Sequence, residues 1–147
     1  MSIRRRGFAH ERDLARRLWE RGLAVIRAPA SGSKAKRVLY PDLVAIYRGR
    51  VVAFEVKTVK TPRSIYIEPE QVEKLVEFCN RAGGEPYIAV KVVGSGEWLF
   101  IPIQLLERTE SGTYKISREA LTRGLRLEAL VSELKGVKKL SDFAQKG

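Results

Sequence analysis

The sequence predicts an α/β fold, a central mixed sheet flanked by helices, on three observations. Apolar residues recur at helical spacing in two separate stretches. Runs rich in β-branched and aromatic residues fall between and after them. Glycine or proline marks most of the boundaries.

Phe8, Glu11, Leu14, Ala15 and Leu18 share one stripe of a first helix that begins after the Arg4–Arg6 cluster and closes at Gly22. Leu23 to Ala28 reads as a short strand ended by Pro29. Positions 30–40, with Ser31, Gly32, Ser33, Lys34, Lys36 and Arg37, show no periodicity and read as a mobile basic loop. Asp42–Tyr47 and Arg50–Lys57 form a hairpin about Arg48-Gly49. After the Thr58–Ser64 loop and an extended Ile65–Ile67, a second helix starts at Glu68-Pro69, where proline suits the first turn. It stops at Gly83-Gly84, with Val72, Val76 and Cys79 as its core line. Pro86–Val93 and Trp98–Ile103 are strands joined by Gly94-Ser95-Gly96, and the remainder reads as short helices, one near Arg126–Lys135, ending in a basic tail.

With 147 residues and 44% hydrophobic content, the chain suits one domain over 1–147 without disulfide staples. Its parts are a basic arm at 1–6, the basic loop at 30–40 and a helical segment from about 104 to 147. No run reaches the roughly 18 apolar residues of a membrane span, and the arginine-rich start carries no signal-peptide core. The expectation is a soluble, cytoplasmic, nucleoid-associated protein with no membrane partner. Cys79, the only cysteine, sits in an apolar helical pattern and reads as a buried thiol, which excludes a disulfide within the chain. The formal net charge of +11 points to a polyanion, with nucleic acid the default partner. A ribosomal protein, an anionic-membrane binder or a chain charged only for solubility would share that charge, so the decision rests on the site.

Asp42 opens the first strand of the hairpin; Glu55 and Lys57 lie on the second. A turn of even length centred on Arg48-Gly49 sets Asp42 directly opposite Glu55, with Cβ atoms roughly 5 Å apart, whereas an odd one would put the two acids on opposite faces. Period-two alternation puts Glu55 and Lys57 on one face and Val52, Phe54 and Val56 on the other, so the apolar face is expected to pack and the charged one to work. Two paired carboxylates repel unless a cation lies between them, and hard oxygen donors suit Mg²⁺, or Mn²⁺ in its place. One His and one Cys argue against zinc. Glu11 shares the inward stripe of the first helix, where a metal or a buried Arg would answer it. The bland readings are a chance Asp-x12-Glu-x-Lys match, a solvated edge pair and an internal salt bridge for Glu11. The parity of the hairpin, Pro41 before Asp42 and the net charge weigh against them. His10 is expected at the surface and Trp19 in packing. The second helix carries another apolar line, Leu75, Phe78 and Ala82, which suggests a two-fold interface; a broadly buried helix is the alternative.

Pro41-Asp42, followed after twelve residues by Glu55-Val56-Lys57, resembles the PD-(D/E)xK nuclease signature. More narrowly, residues 6 to about 103 resemble the archaeal-type Holliday junction resolvases. The matching pieces are Gly7–Leu14, Gly22–Arg27, Ser31-Gly32, the core motif, and Leu75-Val76-Glu77-Phe78 with Gly83-Gly84. The resemblance implies a restriction-endonuclease-like core, metal binding by Glu11, Asp42 and Glu55, and a catalytic Lys57. It also adds Ser31 to the site and gives Arg12 and Arg27 contacts to DNA or support of the site. Arg4, Arg5, Arg6, Lys34, Lys36 and Arg37 are expected along the phosphates. The implied protein is a homodimer that makes paired symmetric nicks in a four-way DNA junction and leaves 5′-phosphate ends. The rivals are another nuclease of this superfamily acting on branched or damaged DNA, and a non-catalytic DNA-binding module.

Overall fold

The computed structural model describes residues 3–29 and 40–136, with side chains from Phe8 onward. Ser31, Lys34, Lys36 and Arg37 therefore lie outside the described residues, as do the side chains of Arg4, Arg5 and Arg6. The elements in chain order are α1 (Ile3–Glu20), β1 (Ala24–Arg27), β2 (Leu43–Tyr47), β3 (Arg50–Val59), β4 (Ile65–Ile67), α2 (Pro69–Ala82), β5 (Glu85–Val92), β6 (Glu97–Pro102), β7 (Glu107–Arg108), β8 (Tyr114–Ile116), α3 (Arg118–Thr122), β9 (Leu125–Arg126) and α4 (Leu127–Lys135). The backbone at Arg4–Arg6 belongs to α1, so these residues are the helix's opening turns and not a separate arm. The segment from 104, expected to be helical, also carries β7, β8 and β9. No helix among the described residues is long and apolar enough to cross a membrane.

Six strands in the order β1-β2-β3-β5-β6-β9 form the main sheet, and β4-β8-β7 form a smaller one. Among the described residues only β3 and β5 run parallel and the other pairings are antiparallel, so the main sheet is mixed. The β2–β3 turn fixes the register that matters. Arg48 and Gly49 both have positive φ, 47° and 85°. That is the two-residue turn whose twist matches the flanking strands, and Gly49 takes its conformation without a Cβ penalty. Leu43 pairs with Phe54 at the end of this register, and the amide of Asp42, just beyond it, donates to the same Phe54 carbonyl at 3.0 Å, while the Asp42 side chain comes beside Glu55.

Each face of the sheet is covered. On one side Leu14 and Leu18 of α1 and Leu130, Val131 and Leu134 of α4 pack on Val52, Phe54, Ala89 and Phe100. On the other, Val72, Leu75 and Cys79 of α2 pack on Ala53, Val59, Ile88 and Val90. The face of β3 that carries Glu55 and Lys57, expected to be the working one, lies on the α2 side. An interior strand with a parallel neighbour is normally buried on both faces. Helix α2 ends at Gly83, left-handed at φ 70°, whose neighbour Gly84 donates to the Cys79 carbonyl at 3.0 Å.

Other expectations change with burial. Leu75 is 0% exposed, so it belongs to the core and not to a surface line, while Val76 is only half-buried. The reason is rotation of α2 about its axis: the sheet takes Val72, Leu75 and Cys79, leaving Phe78 half-buried and Ala82 exposed. Trp19 is 66% exposed and does not pack, and His10 is half-buried instead of free at the surface. Cys79 is buried as expected, and burial pushes its thiol up to about 11.

Candidate active site

Asp42 lies at a bend between the buried Pro41 and β2. Its amide donates to the Phe54 carbonyl at 3.0 Å, and its carbonyl accepts from the Ala28 amide at 3.0 Å. With the backbone tied to a strand on each side, the carboxylate has little freedom. Its Oδ2 accepts from the Val56 amide at 2.8 Å, which holds the acid beside the middle of the Glu55-Val56-Lys57 stretch.

Glu55 is 2% exposed, one of two buried charged residues among the described ones. Burial and then the negative charge of Asp42 raise its pKa to about 8, against the pull of Lys74 and Lys57. Its buried Oε2 has no hydrogen-bond partner among the described residues, and Lys74 Nζ stands 3.6 Å from it, too far for a good bond. An ionised carboxylate left this way is costly. Lys57, half-buried, donates from Nζ to Gln71 Oε1 at 2.7 Å.

Glu11 reaches the same region from α1. Burial, then Asp42, raise its pKa to about 7, while the charges of Arg27 and Lys74 oppose the rise. Arg27, on β1, gives a long 3.5 Å contact to the Phe8 carbonyl, and its buried Nε has no hydrogen-bond partner among the described residues. Arg12 is exposed on α1. Among the described residues no three His, Cys, Asp or Glu side chains close on a common metal position. The structure thus brings Asp42, Glu55 and Lys57 together, with Glu11 and Arg27 alongside within electrostatic reach. The donor set of Asp42 and Glu55 fits a hard divalent cation: two oxygen ligands, one buried oxygen unsatisfied, and mutual repulsion that a positive ion would relieve.

Gln71 and Lys74 were not singled out by sequence reasoning. They are polar positions flanking Val72 and Leu75, a pattern shared by solvated helix faces. The available signal was that a helix covering the Glu-x-Lys face has to present something polar to it. Phe78 and Ala82 line an apolar groove of about 420 Å³ with Ile26, Tyr40 and Pro41, and Leu75 is not part of its lining.

The chain resembles known proteins along most of its length. The family profile described as archaeal Holliday junction resolvase (Hjc) matches residues 2–139. A crossover junction endodeoxyribonuclease Hjc of Sulfurisphaera tokodaii is 44% identical over 130 residues, 88% of each chain. Its namesake in Sulfolobus acidocaldarius is 38% identical over 136 residues, 92% of this chain and 93% of the relative. The crystal structure of Archaeoglobus fulgidus Hjc, a Holliday junction resolvase, matches with a TM-score of 0.75 and 35% identity, covering 86% of this chain and 96% of that one. The fold is accordingly restriction-endonuclease-like. Sequence, fold and the hairpin motif agree, and the chain belongs to the archaeal Holliday junction resolvase (Hjc) family.

Proposed function

We propose that this protein is a divalent-metal-dependent endodeoxyribonuclease that resolves four-way DNA junctions, working as a homodimer that nicks two strands symmetrically. The observation that carries the reading is the meeting of Asp42, Glu55 and Lys57 on one hairpin of an Hjc-family chain. The similarity to crossover junction endodeoxyribonucleases supports the substrate class.

Asp42 and Glu55 would hold the metal, Mg²⁺ or Mn²⁺ in its place. When bound, such an ion would supply positive charge that offsets the phosphate's negative charge and would make the attacking water easier to deprotonate. Glu55 can serve as a ligand only when ionised, and Asp42 stays fixed against β3 through the Val56 amide. Water attacks phosphorus in line with the 3′ oxygen, the P–O3′ bond breaks, and the ends are 5′-phosphate and 3′-hydroxyl. Lys57 orients the attacking water or balances the negative charge that gathers on the phosphoryl oxygens. Glu11 adds a third negative charge from α1, and Arg27 partly offsets it. Arg12 faces outward for a phosphate. Ser31 and the basic positions Arg4, Arg5, Arg6, Lys34, Lys36 and Arg37 are assigned to the DNA side of the site.

The test is cleavage of a synthetic four-way junction beside a duplex, a fork and a flap, each with Mg²⁺, Mn²⁺ or EDTA. Ligatable paired nicks in the junction that need metal are expected. Equal cutting of all four substrates would replace the resolvase reading with a general nuclease, and binding without cutting under every metal would leave a DNA-binding module.

A further inference from the structure

Helix α2 does more than cover the sheet. Gln71 and Lys74 lie one turn apart on the shoulder beside the Val72–Leu75 core line, and each meets one member of the Glu55-x-Lys57 pair. Gln71 Oε1 accepts from Lys57 Nζ at 2.7 Å, and Lys74 Nζ stands 3.6 Å from Glu55 Oε2. The earlier helix residue meets the later strand residue, so α2 runs back along β3. The parallel β3–β5 crossover that contains α2 dictates that direction. Residues three apart on a helix share a side, as do residues two apart on a strand, so one helix face can hold both ends of the motif.

We infer that Gln71 is a positioning residue for Lys57: its carbonyl fixes the ammonium over the site, with Lys74 one turn on as the companion contact to Glu55. The inference rests on the catalytic role proposed for Lys57. A lysine carries four rotatable bonds and much rotamer entropy, so an ammonium needed at one place gains from a fixed acceptor. The acceptor's chemistry suits the task. A neutral amide takes one of the three ammonium protons and leaves the full positive charge and two donors for water and phosphate. A carboxylate at the same place would hold the group but cancel its charge. Gln71 is itself half-buried and precedes the buried Val72 in the first turn of α2, where the helix packs on the sheet.

Gln71→Met and Gln71→Glu separate position from fold, because both side chains are near in size to Gln and compatible with a helix. Two measurements apply: the single-turnover rate of junction cleavage with junction Kd, and the lysine ammonium signals in a ¹H–¹⁵N correlation spectrum of the metal-free protein. Lys57→Met assigns the Lys57 resonance. Wild type should show a slow-exchanging Lys57 ammonium signal. Gln71→Met should lose it and cut roughly ten- to a hundred-fold more slowly, with Kd within about two-fold, the scale of one hydrogen bond to a charged group. Gln71→Glu should keep the signal and recover part of the rate. No Lys57 signal in wild type overturns the inference, whatever the folding of the variants. So does a normal rate in Gln71→Met while Lys57→Met is inactive, or a Gln71→Glu variant no faster than Gln71→Met. A normal rate in Lys57→Met itself would overturn the catalytic reading beneath it, which distinguishes the two failures.

Discussion

The Val56 amide donates to Asp42 Oδ2 at 2.8 Å, so an acid on one side of the hairpin is tied to the backbone midway between Glu55 and Lys57 on the other. That bond turns strand register into site geometry. It also uses one Asp42 oxygen structurally. Asp42→Asn keeps the side-chain oxygen that can accept from Val56 but not the charge, so it should fold and bind junctions while cutting at least about a thousand-fold less, the scale of losing one strongly preorganised electrostatic group. Glu55→Gln and Lys57→Ala should behave alike. Removing a carboxylate should also tighten metal-free binding to phosphate by relieving repulsion. Gel shifts and single-turnover cleavage of the three variants check both points; near wild-type nicking by any of them would remove that residue from the mechanism.

The raised pKa values give stability a pH dependence in metal-free protein. Glu55 at about 8 and Glu11 at about 7 hold protons in the fold that they release near the ordinary 4.5 when unfolded. The folded state therefore binds more protons, and these two groups favour folding most below about 4.5 and progressively less as pH rises toward 8. Metal-free wild type should lose melting temperature across that window, Glu55→Gln should lose less of it, and Mg²⁺ should restore it at the alkaline end. Thermal melts from pH 5 to 8.5 with and without Mg²⁺ decide this; identical slopes in wild type and Glu55→Gln would contradict it.

Asp13 anchors α1 to the sheet. It accepts from Lys91 Nζ at 2.9 Å, Trp98 Nε1 at 3.1 Å and Arg17 Nε at 3.0 Å, and these bonds hold its carboxyl well below the usual carboxylate range although burial pulls the other way. Lys91 is buried on β5 and lies 5.2 Å from the Trp98 ring centre. Lys91→Met removes one of several cationic partners, so a loss of about 1–2 kcal/mol and a fall of several degrees in Tm are expected, short of the cost of a lone buried charge. Because α1 also carries Glu11, slower cleavage with unchanged junction affinity should accompany the loss. Urea melts and cleavage rates measure the two separately.

The register of the site was legible because the parity of a two-residue turn settles which side chains face each other, and Asp42, Glu55 and the helix start at Pro69 follow from purely local rules. What the local pattern does not contain is rotation and partnership. Leu75 and Phe78 look alike along the chain, and only the sheet beneath α2 decides which of them is buried. Gln71 and Lys74 look like solvated positions until β3 is placed under them. Lys91 breaks the apolar pattern of β5, and its partner Asp13 lies 78 residues away on another element.

The net charge of +11 should make binding salt-dependent. Junction affinity should fall steeply between low and moderate salt, with charge reversal at Arg4–Arg6 or at Lys34, Lys36 and Arg37 lowering the slope and the affinity with little sequence preference. Fluorescence anisotropy over a salt series is the measurement. An affinity flat between low and moderate salt would contradict binding through neutralised phosphates.

The groove that holds Phe78 and Ala82 separates interface from core. Ile26, 60% exposed, and Tyr40, 38% exposed, line it with them, so this surface combines exposed apolar groups from β1 and α2. A second copy seated there by two-fold symmetry would cover both sets at once, since a self-complementary patch meets itself. Leu75 contributes nothing to it, being sealed against Ala53, Ile88 and their neighbours. The two positions should therefore fail in different ways. Phe78→Asp should give folded monomer that keeps its melting transition but makes single nicks, because paired incision needs two linked sites on strands of like polarity. Leu75→Ala should cost about 2–5 kcal/mol as a core cavity and lower stability at every concentration. Sedimentation, thermal melts and a supercoiled cruciform plasmid, which is linearised by paired incision but only relaxed by a single nick, read these outcomes together. A Phe78→Asp variant that stays dimeric and linearises the plasmid would move the interface to another surface, and a wild-type monomer on junction DNA would remove the dimer from the mechanism.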